Sequence, residues 1–193
     1  MLNESLDFLI ECEKLKQVER MTSPVGAARR ENSAEHSWSL CLAAMTLIPV
    51  VEPELDTLRV IEMLLIHDIV EIDAGDTFCY ADQTGKIEKE NLAADRIFGL
   101  LPHDAAQKFH QRWDEFERRE TAESRFANAL DRIFPLLQNY HNKGGTWIEH
   151  GITFEQVFQR NREIANGSEA LWDYARRIIE ASSENGWLPK SNP

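Results

Sequence analysis

Apolar residues along this chain recur at three- and four-residue spacing rather than in alternation, which predicts amphipathic helices and no sheet. Leu2, Leu6, Leu9, Ile10 and Leu15 give one apolar face to a helix over about 3–18. Pro24 and Gly26 interrupt the pattern, and Asn32 or Ser33 is placed to cap a second helix by accepting from its free N–H groups. That helix carries His36 and runs to about Ile48, before Pro49. Asp56 caps a third, TLRVIEMLLIHDIVEI, whose apolar residues surround much of its circumference and mark it as the central, most buried element. Residues 73–85 contain turn formers and no apolar period, so a loop follows the central helix directly.

Helices resume over about 86–100 and 104–120, on either side of Pro102. Thr121 opens a long one reaching Tyr140, which Pro135 is expected to kink or to end early. Thr153 with Gln156 forms a capping box, and Ser168 caps a last helix that reaches about Ser182. Eight helices are predicted in all. Repeats, low-complexity tracts and Gly/Ser linkers are not found, so one all-α domain is expected.

Composition narrows the function. With 193 residues, 42% of them apolar, the chain can fill one sizeable core. Its 21 Lys+Arg against 33 Asp+Glu leave a net charge of −12, the wrong sign for nucleic acid or an anionic membrane, while small ligands stay open. Cys12, Cys41 and Cys79 are widely spaced and odd in number, which suggests neither a disulfide framework nor a zinc knuckle and fits a reducing cytoplasm. The first residues are interrupted by charges, and the longest apolar stretch, 41–51, is short for a membrane span, so neither a targeting signal nor a span is expected.

The candidate chemistry lies near the end of the most apolar helix, where His67 and Asp68 stand side by side. An imidazole and a carboxylate in an apolar segment are costly unless something satisfies them, and a divalent cation satisfies both. Adjacent helical residues point about 100° apart, so a cation between the two directions is within reach of both. Glu71 is four residues from His67 and three from Asp68, which turns all three toward one side of a helix, and Asp76 follows Gly75 just beyond. An HD pair alone also fits a capped helix end with solvated acids. His36 and Asp131 likewise fit a buried histidine and a carboxylate paired with Arg125 or Arg132.

Taken together, His36, His67-Asp68 and Asp131 follow the ligand order of the HD-domain superfamily of metal-dependent phosphohydrolases, which the chain resembles. The resemblance is closest to the small 5′-deoxynucleotidase branch. It rests on RRENSAEH at 29–36, HDIVEIDAGD at 67–76 and Arg20 after the first helix. It implies a helical bundle around one metal, forming a single HD domain over 1–193 with the ligands within about 30–140 and C-terminal helices at about 153–185. His36, His67, Asp68 and Asp131 would be the ligands, Glu71 and Asp76 the catalytic acids, and Arg20 the group on the substrate phosphate. The implied reaction is hydrolysis of 5′-(deoxy)nucleoside monophosphates by a homodimer. The branch commonly carries a tryptophan close behind that arginine, associated with choice of 2′-deoxyribose, whereas here Met21-Thr22-Ser23-Pro24 follows.

Two histidines and two aspartates leave open coordination positions and suit Mn, Fe, Co, Ni or Zn alike. Arg20, Arg29 and Arg30 are the clustered cations available to a phosphate, with Lys86 and Lys89 as further choices. His103, His110, His141 and His150 are read as non-ligands, although His103 and His110 fall where a binuclear phosphodiesterase of the same superfamily carries extra histidines. That enzyme is one alternative, and a non-catalytic acidic module with a structural metal is the other. Trp38, Trp113 and Trp172 are read as core or helix-interface residues.

Overall fold

The computed structural model describes residues 1–190, so the last three residues of the expected 1–193 unit lie outside the described residues. The described chain forms α1 (Leu2–Cys12), α2 (Ser33–Val51), α3 (Thr57–Ile66), α4 (Glu71–Ala74), α5 (Lys86–Phe98), α6 (His103–Arg118), α7 (Ala122–His141), α8 (Gly145–Glu149), α9 (Phe154–Asn161) and α10 (Glu169–Glu184). Two 3₁₀ segments, Glu13–Gln17 and Arg162–Asn166, complete it. No strand occurs among the described residues, and an isolated antiparallel bridge joins Glu19 to Asn32.

The apolar residues fall into two buried groups. One packs Leu40 and Ile48 of α2, Met63 and Leu64 of α3, and Phe126 and Leu130 of α7 against the C-terminal helices. The other packs Phe8 and Leu15 against Ile97 and Phe98 of α5 and Trp113 of α6, together with Ile66, Ile69 and Val70. Each fully buried Leu, Ile or Phe contributes about 1.5–3 kcal/mol. The segment 63–70 passes from one group to the other, and both flanks therefore fix the backbone that carries His67 and Asp68.

Capping follows the sequence closely. Asn32 accepts from the Glu35 N–H at 3.0 Å and Glu35 reaches back to the Asn32 N–H, a reciprocal box that starts α2. Asp56 caps α3, Thr121 caps α7, and Thr153 with Gln156 caps α9. Ser168 occupies the N-cap position of α10, but its side chain makes no capping bond.

Several expectations are corrected. The first helix stops at Cys12, and Leu2, Leu6, Leu9 and Ile10 are exposed, because Phe8 enters the second core edge-on against Phe109 and only that side of α1 is covered. Helix α2 continues through Pro49 to Val51 and α7 through Pro135 to His141. Each proline removes one ladder bond, to the carbonyl four residues back, while the flanking turns stay packed. The third helix ends at Ile66. Residues 67–70 form a tight turn in which the N–H groups of Ile69 and Glu71 bond three residues back, so Glu71 opens a new short helix instead of closing the old one. α8 was not expected, and with α4 split from the third helix ten helices occur among the described residues where eight were predicted. Trp38 is 66% exposed, against the core role read for it, whereas Trp113 is buried. α2 is also long and apolar enough to cross a membrane by length and composition, which the 41–51 stretch alone did not suggest. Here it packs through Leu40, Ala44 and Ile48 and carries His36.

Candidate metal centre

Three separate elements deliver the polar groups. His36 lies in the first turns of α2 and is fully buried; His67 and Asp68 follow the end of α3; Asp131 stands midway along α7. His36 Nε2 is 3.0 Å from Asp131 Oδ1. His67 Nε2 is 3.1 Å from Asp68 Oδ1 and 3.8 Å from Asp131 Oδ1. The structure thus brings together all four residues read from the sequence as ligands, and donor atoms of His36, His67 and Asp68 lie within 4.8 Å of one another.

The donor chemistry tests whether a cation fits. His67 Nδ1 lies 2.9 Å from the Leu64 carbonyl, which can only accept, so the proton belongs on Nδ1. Nε2 of the neutral ring then turns a lone pair toward the carboxylates, and that buried atom has no hydrogen-bond partner. His36 differs: its Nε2 is hydrogen-bonded with Asp131, while its buried Nδ1, 3.4 Å from Glu31 Oε2, has no hydrogen-bond partner. A histidine whose outer nitrogen is held by a carbonyl or a carboxylate, with its inner nitrogen aimed at oxygen donors, is the usual setting of a metal-ligating imidazole. These residues fit a divalent cation.

The field around the site says the same. Burial opposes a charge on His67, but Asp68 and Asp131 outweigh it and raise its pKa to about 9. Burial also opposes the charge on Asp131, yet the bond with His36 and the neighbouring His67 imidazole hold its carboxyl well below the usual range. The pocket is one that demands positive charge.

Arg20 supplies some of it. Its backbone N–H bonds to the Glu31 carbonyl at 2.8 Å, and the Ser33 N–H bonds to Val18, which folds the 18–33 loop back on itself and turns Arg20 inward. Nη1 donates to Asp68 Oδ2 at 2.8 Å and lies 3.9 Å from Asp76 Oδ1; Nη2 is 4.0 Å from Asp131 Oδ1. The other basic candidates are elsewhere or engaged: Arg29 pairs with Glu35, Arg30 with Glu149, and Lys86 lines the cavity beside Glu90, whereas Lys89 is exposed.

Glu71 is 5% exposed, not the solvated acid that a helix end allows. Burial pushes its pKa up to about 8, the neighbouring Asp68 pushes the same way, and Arg20 and the Ser33 hydroxyl pull against them. Burial likewise raises Asp76, with Arg20 opposing. Glu71 therefore sits near the range in which a carboxyl group can take up or release a proton at neutral pH.

Three residues around the site had no part in the site as read from the sequence, where Ser33 figured only as a candidate cap. Glu31, 2% exposed, accepts from Gln138 Nε2 at 2.6 Å and faces His36, while Ser33 donates to Glu71. Glu31 and Ser33 fall inside RRENSAEH, but they flank a cap and therefore carry no helical period; Gln138 had no local signal at all. His110 lies against Phe98 and Asp95, and His150 against Phe78, so neither joins the ligand group. The site opens into a cavity of about 360 Å³, a size proper to a small-molecule pocket, walled in part by Phe78, Tyr80 and Trp147.

A family model for the HD domain matches residues 12–172. The chain belongs to the HD domain family. A human relative, named 5′-deoxynucleotidase HDDC2, is 32% identical over 138 residues, covering 69% of this chain and 65% of that protein. Its namesake in Dictyostelium discoideum is 28% identical over 172 residues, covering 83% and 90%. A crystal structure from Magnetospirillum magnetotacticum, titled a predicted metal-dependent phosphohydrolase, superposes with a TM-score of 0.93 at 46% identity and covers 97% of this chain and 95% of its own. The PH0347 protein of Pyrococcus horikoshii shares the fold at a TM-score of 0.67 and 19% identity. The human, Dictyostelium and Magnetospirillum relatives are named for hydrolytic activity, and the chain's all-helical fold is the one the sequence led to expect.

Proposed function

We propose that the chain hydrolyses the phosphomonoester bond of 5′-(deoxy)nucleoside monophosphates at one divalent metal held by His36, His67, Asp68 and Asp131. The observation that carries this reading is the unpartnered, lone-pair-bearing Nε2 of His67 among Asp68, Asp131 and His36, with Arg20 and the buried Glu71 beside it. The names of the relatives support the substrate class.

A divalent ion supplies Lewis acidity there and makes water a nucleophile at neutral pH. Arg20 engages the phosphate through its planar fork of N–H donors, moving part of its hydrogen bonding from Asp68 to the ester oxygens. Glu71, held by Ser33, accepts the proton of the attacking water. Asp76 returns a proton to the nucleoside oxygen as the phosphorus–oxygen bond breaks. The products are nucleoside and inorganic phosphate. Met21-Thr22-Ser23-Pro24 follows Arg20 where the related branch carries a tryptophan close behind the arginine, and choice between ribose and deoxyribose is relaxed in this reading.

The test is phosphate release from 5′-deoxy- and 5′-ribonucleoside monophosphates after the protein is stripped and reloaded with Mn, Fe, Co, Ni or Zn. Release confined to metal-loaded protein supports the reading; silence across the panel with metal bound overturns it.

The same reading includes a homodimer in the cytoplasm. Trp38, Leu42 and Met45 form an exposed apolar stripe at i, i+4 and i+7 on α2, next to exposed Leu58 and Leu65 on α3, and the three cysteines are free thiols. Light scattering at a dimer mass, reduced to a monomer by Leu42→Glu, is the expected result.

A further inference from the structure

The cavity that Arg20 lines also carries three arginines that the reaction above does not use. Arg119 comes from the end of α6, Arg132 from α7 and Arg160 from α9, and all three line the cavity that contains the metal centre. Arg132 directly follows Asp131, so the cluster borders the centre itself.

These arginines, of which Arg119 is exposed and Arg132 and Arg160 half-buried, lack what several other cations of the chain possess. In a chain with 33 acidic residues, Arg20, Arg59, Lys86 and Arg112 each have a carboxylate within ion-pair distance. Among the described residues no carboxylate lies that close to Arg119, Arg132 or Arg160. The one hydrogen bond from the Arg132 guanidinium goes from Nη1 to the Arg160 backbone carbonyl at 2.9 Å, which leaves its remaining donors for another group. Arg119 also holds φ at 56°, a left-handed helix terminus where glycine is usual. Like charges gathered in a cavity are unfavourable unless an anion offsets them.

We propose that Arg119, Arg132 and Arg160 form a second anion subsite, and that the preferred substrate is a nucleotide carrying a second phosphate in addition to the one removed. The proposal rests on the phosphomonoesterase reading and names the substrate class within it. Hydrolysis proceeds as before. Water oxygen bonds to the phosphorus at the metal side, the ester phosphorus–oxygen bond breaks, and the leaving oxygen takes a proton, while the second phosphate stays on the product. A plain monophosphate fills only half of the cationic wall and is turned over less efficiently.

The experiment compares kcat/KM for a nucleoside 5′-monophosphate and the matching nucleoside 3′,5′-bisphosphate on metal-loaded protein, for wild type and for the double variant Arg119→Gln/Arg160→Gln. This pair keeps the Arg160 carbonyl that holds Arg132. The expected preference for the bisphosphate is about tenfold or more, corresponding to one or two charge-assisted hydrogen bonds, and it collapses toward one in the double variant. A wild-type ratio of one or less, or a ratio that survives the double substitution, overturns the subsite. If neither nucleotide is hydrolysed, the reaction reading fails by itself, and calorimetric binding of the bisphosphate decides the subsite. Affinity lost about tenfold in the double variant upholds it, and equal affinity overturns it. Circular dichroism and thermal melting of the variant establish that it is folded.

Discussion

The Ser33 hydroxyl donates to Glu71 Oε2 at 2.6 Å and joins the first residue of α2 to the first residue of α4. This bond favours the ionised carboxyl group, against a burial that pushes the Glu71 pKa up to about 8. A base must be deprotonated to act, so the acidic limb of a kcat/KM profile reports this balance. Ser33→Ala removes the opposing term and is expected to move that limb to higher pH, as read from initial rates over pH 5 to 10. A limb that stays in place would separate Ser33 from the titration of Glu71.

Glu71→Gln keeps the size of the side chain and the contact with Ser33 but cannot accept a proton. Turnover is expected to fall by about 10²- to 10⁴-fold with metal content unchanged, measured by phosphate release beside elemental analysis. A fully active variant would remove Glu71 from proton transfer.

Removal of the metal by a chelator is expected to abolish hydrolysis, and adding back a transition ion to restore it. His36→Ala and His67→Ala each delete an imidazole aimed at Asp131 and should retain roughly a tenth or less of the wild-type metal after dialysis. Stoichiometric metal in both variants would place the ion elsewhere.

Acid stability has a site away from the metal. Glu62 of α3 accepts from Arg112 Nε of α6 at 2.7 Å and from Lys108, which hold its pKa below the ordinary 4.5. A depressed carboxyl group stabilises the fold fully above the unfolded value and loses that contribution as pH falls through the folded one. Glu62→Gln is therefore expected to lower Tm by roughly 1–3 °C at neutral pH, with the gap closing below pH 4.5, in paired calorimetric scans. A gap independent of pH would mean that packing, not charge, is responsible.

Gly167 is a packing glycine. A Cβ built there would stand 2.4 Å from the Arg125 carbonyl oxygen and 2.8 Å from Ala129 Cβ, both fixed by the α7 backbone. Gly167→Ala should cost about 1–3 kcal/mol, because the 3₁₀ segment must retreat from α7. Chemical denaturation reads it directly, and a neutral result would mean that the segment moves without cost.

The helices were legible where local rules suffice. Asn32, Asp56, Thr121 and Thr153 were each recognisable as starts because a short polar side chain beside an apolar period satisfies free N–H groups whatever lies around it. The apolar face of α1 failed for the opposite reason. Leu6 and Leu9 have the spacing of a buried stripe, but burial depends on what covers a face, and α5 and α6 meet only Phe8. The continuity assumed from α3 to Glu71 also failed, since both helical and 3₁₀ turns tolerate the residues of 67–70.

By itself the sequence determined the helical class, most of the caps and the His67-Asp68 pair as candidate ligands, because spacing and side-chain chemistry are local properties, while His36 and Asp131 joined them through the family resemblance. Only the tertiary structure decided that His36, His67, Asp68 and Asp131 converge, that Glu31 faces His36 and Ser33 holds Glu71, and that three arginines share the cavity wall without carboxylate partners among the described residues. Those are relations between elements distant in sequence, fixed by two packed cores that grip the 63–70 segment from either side, and no local pattern encodes such distances.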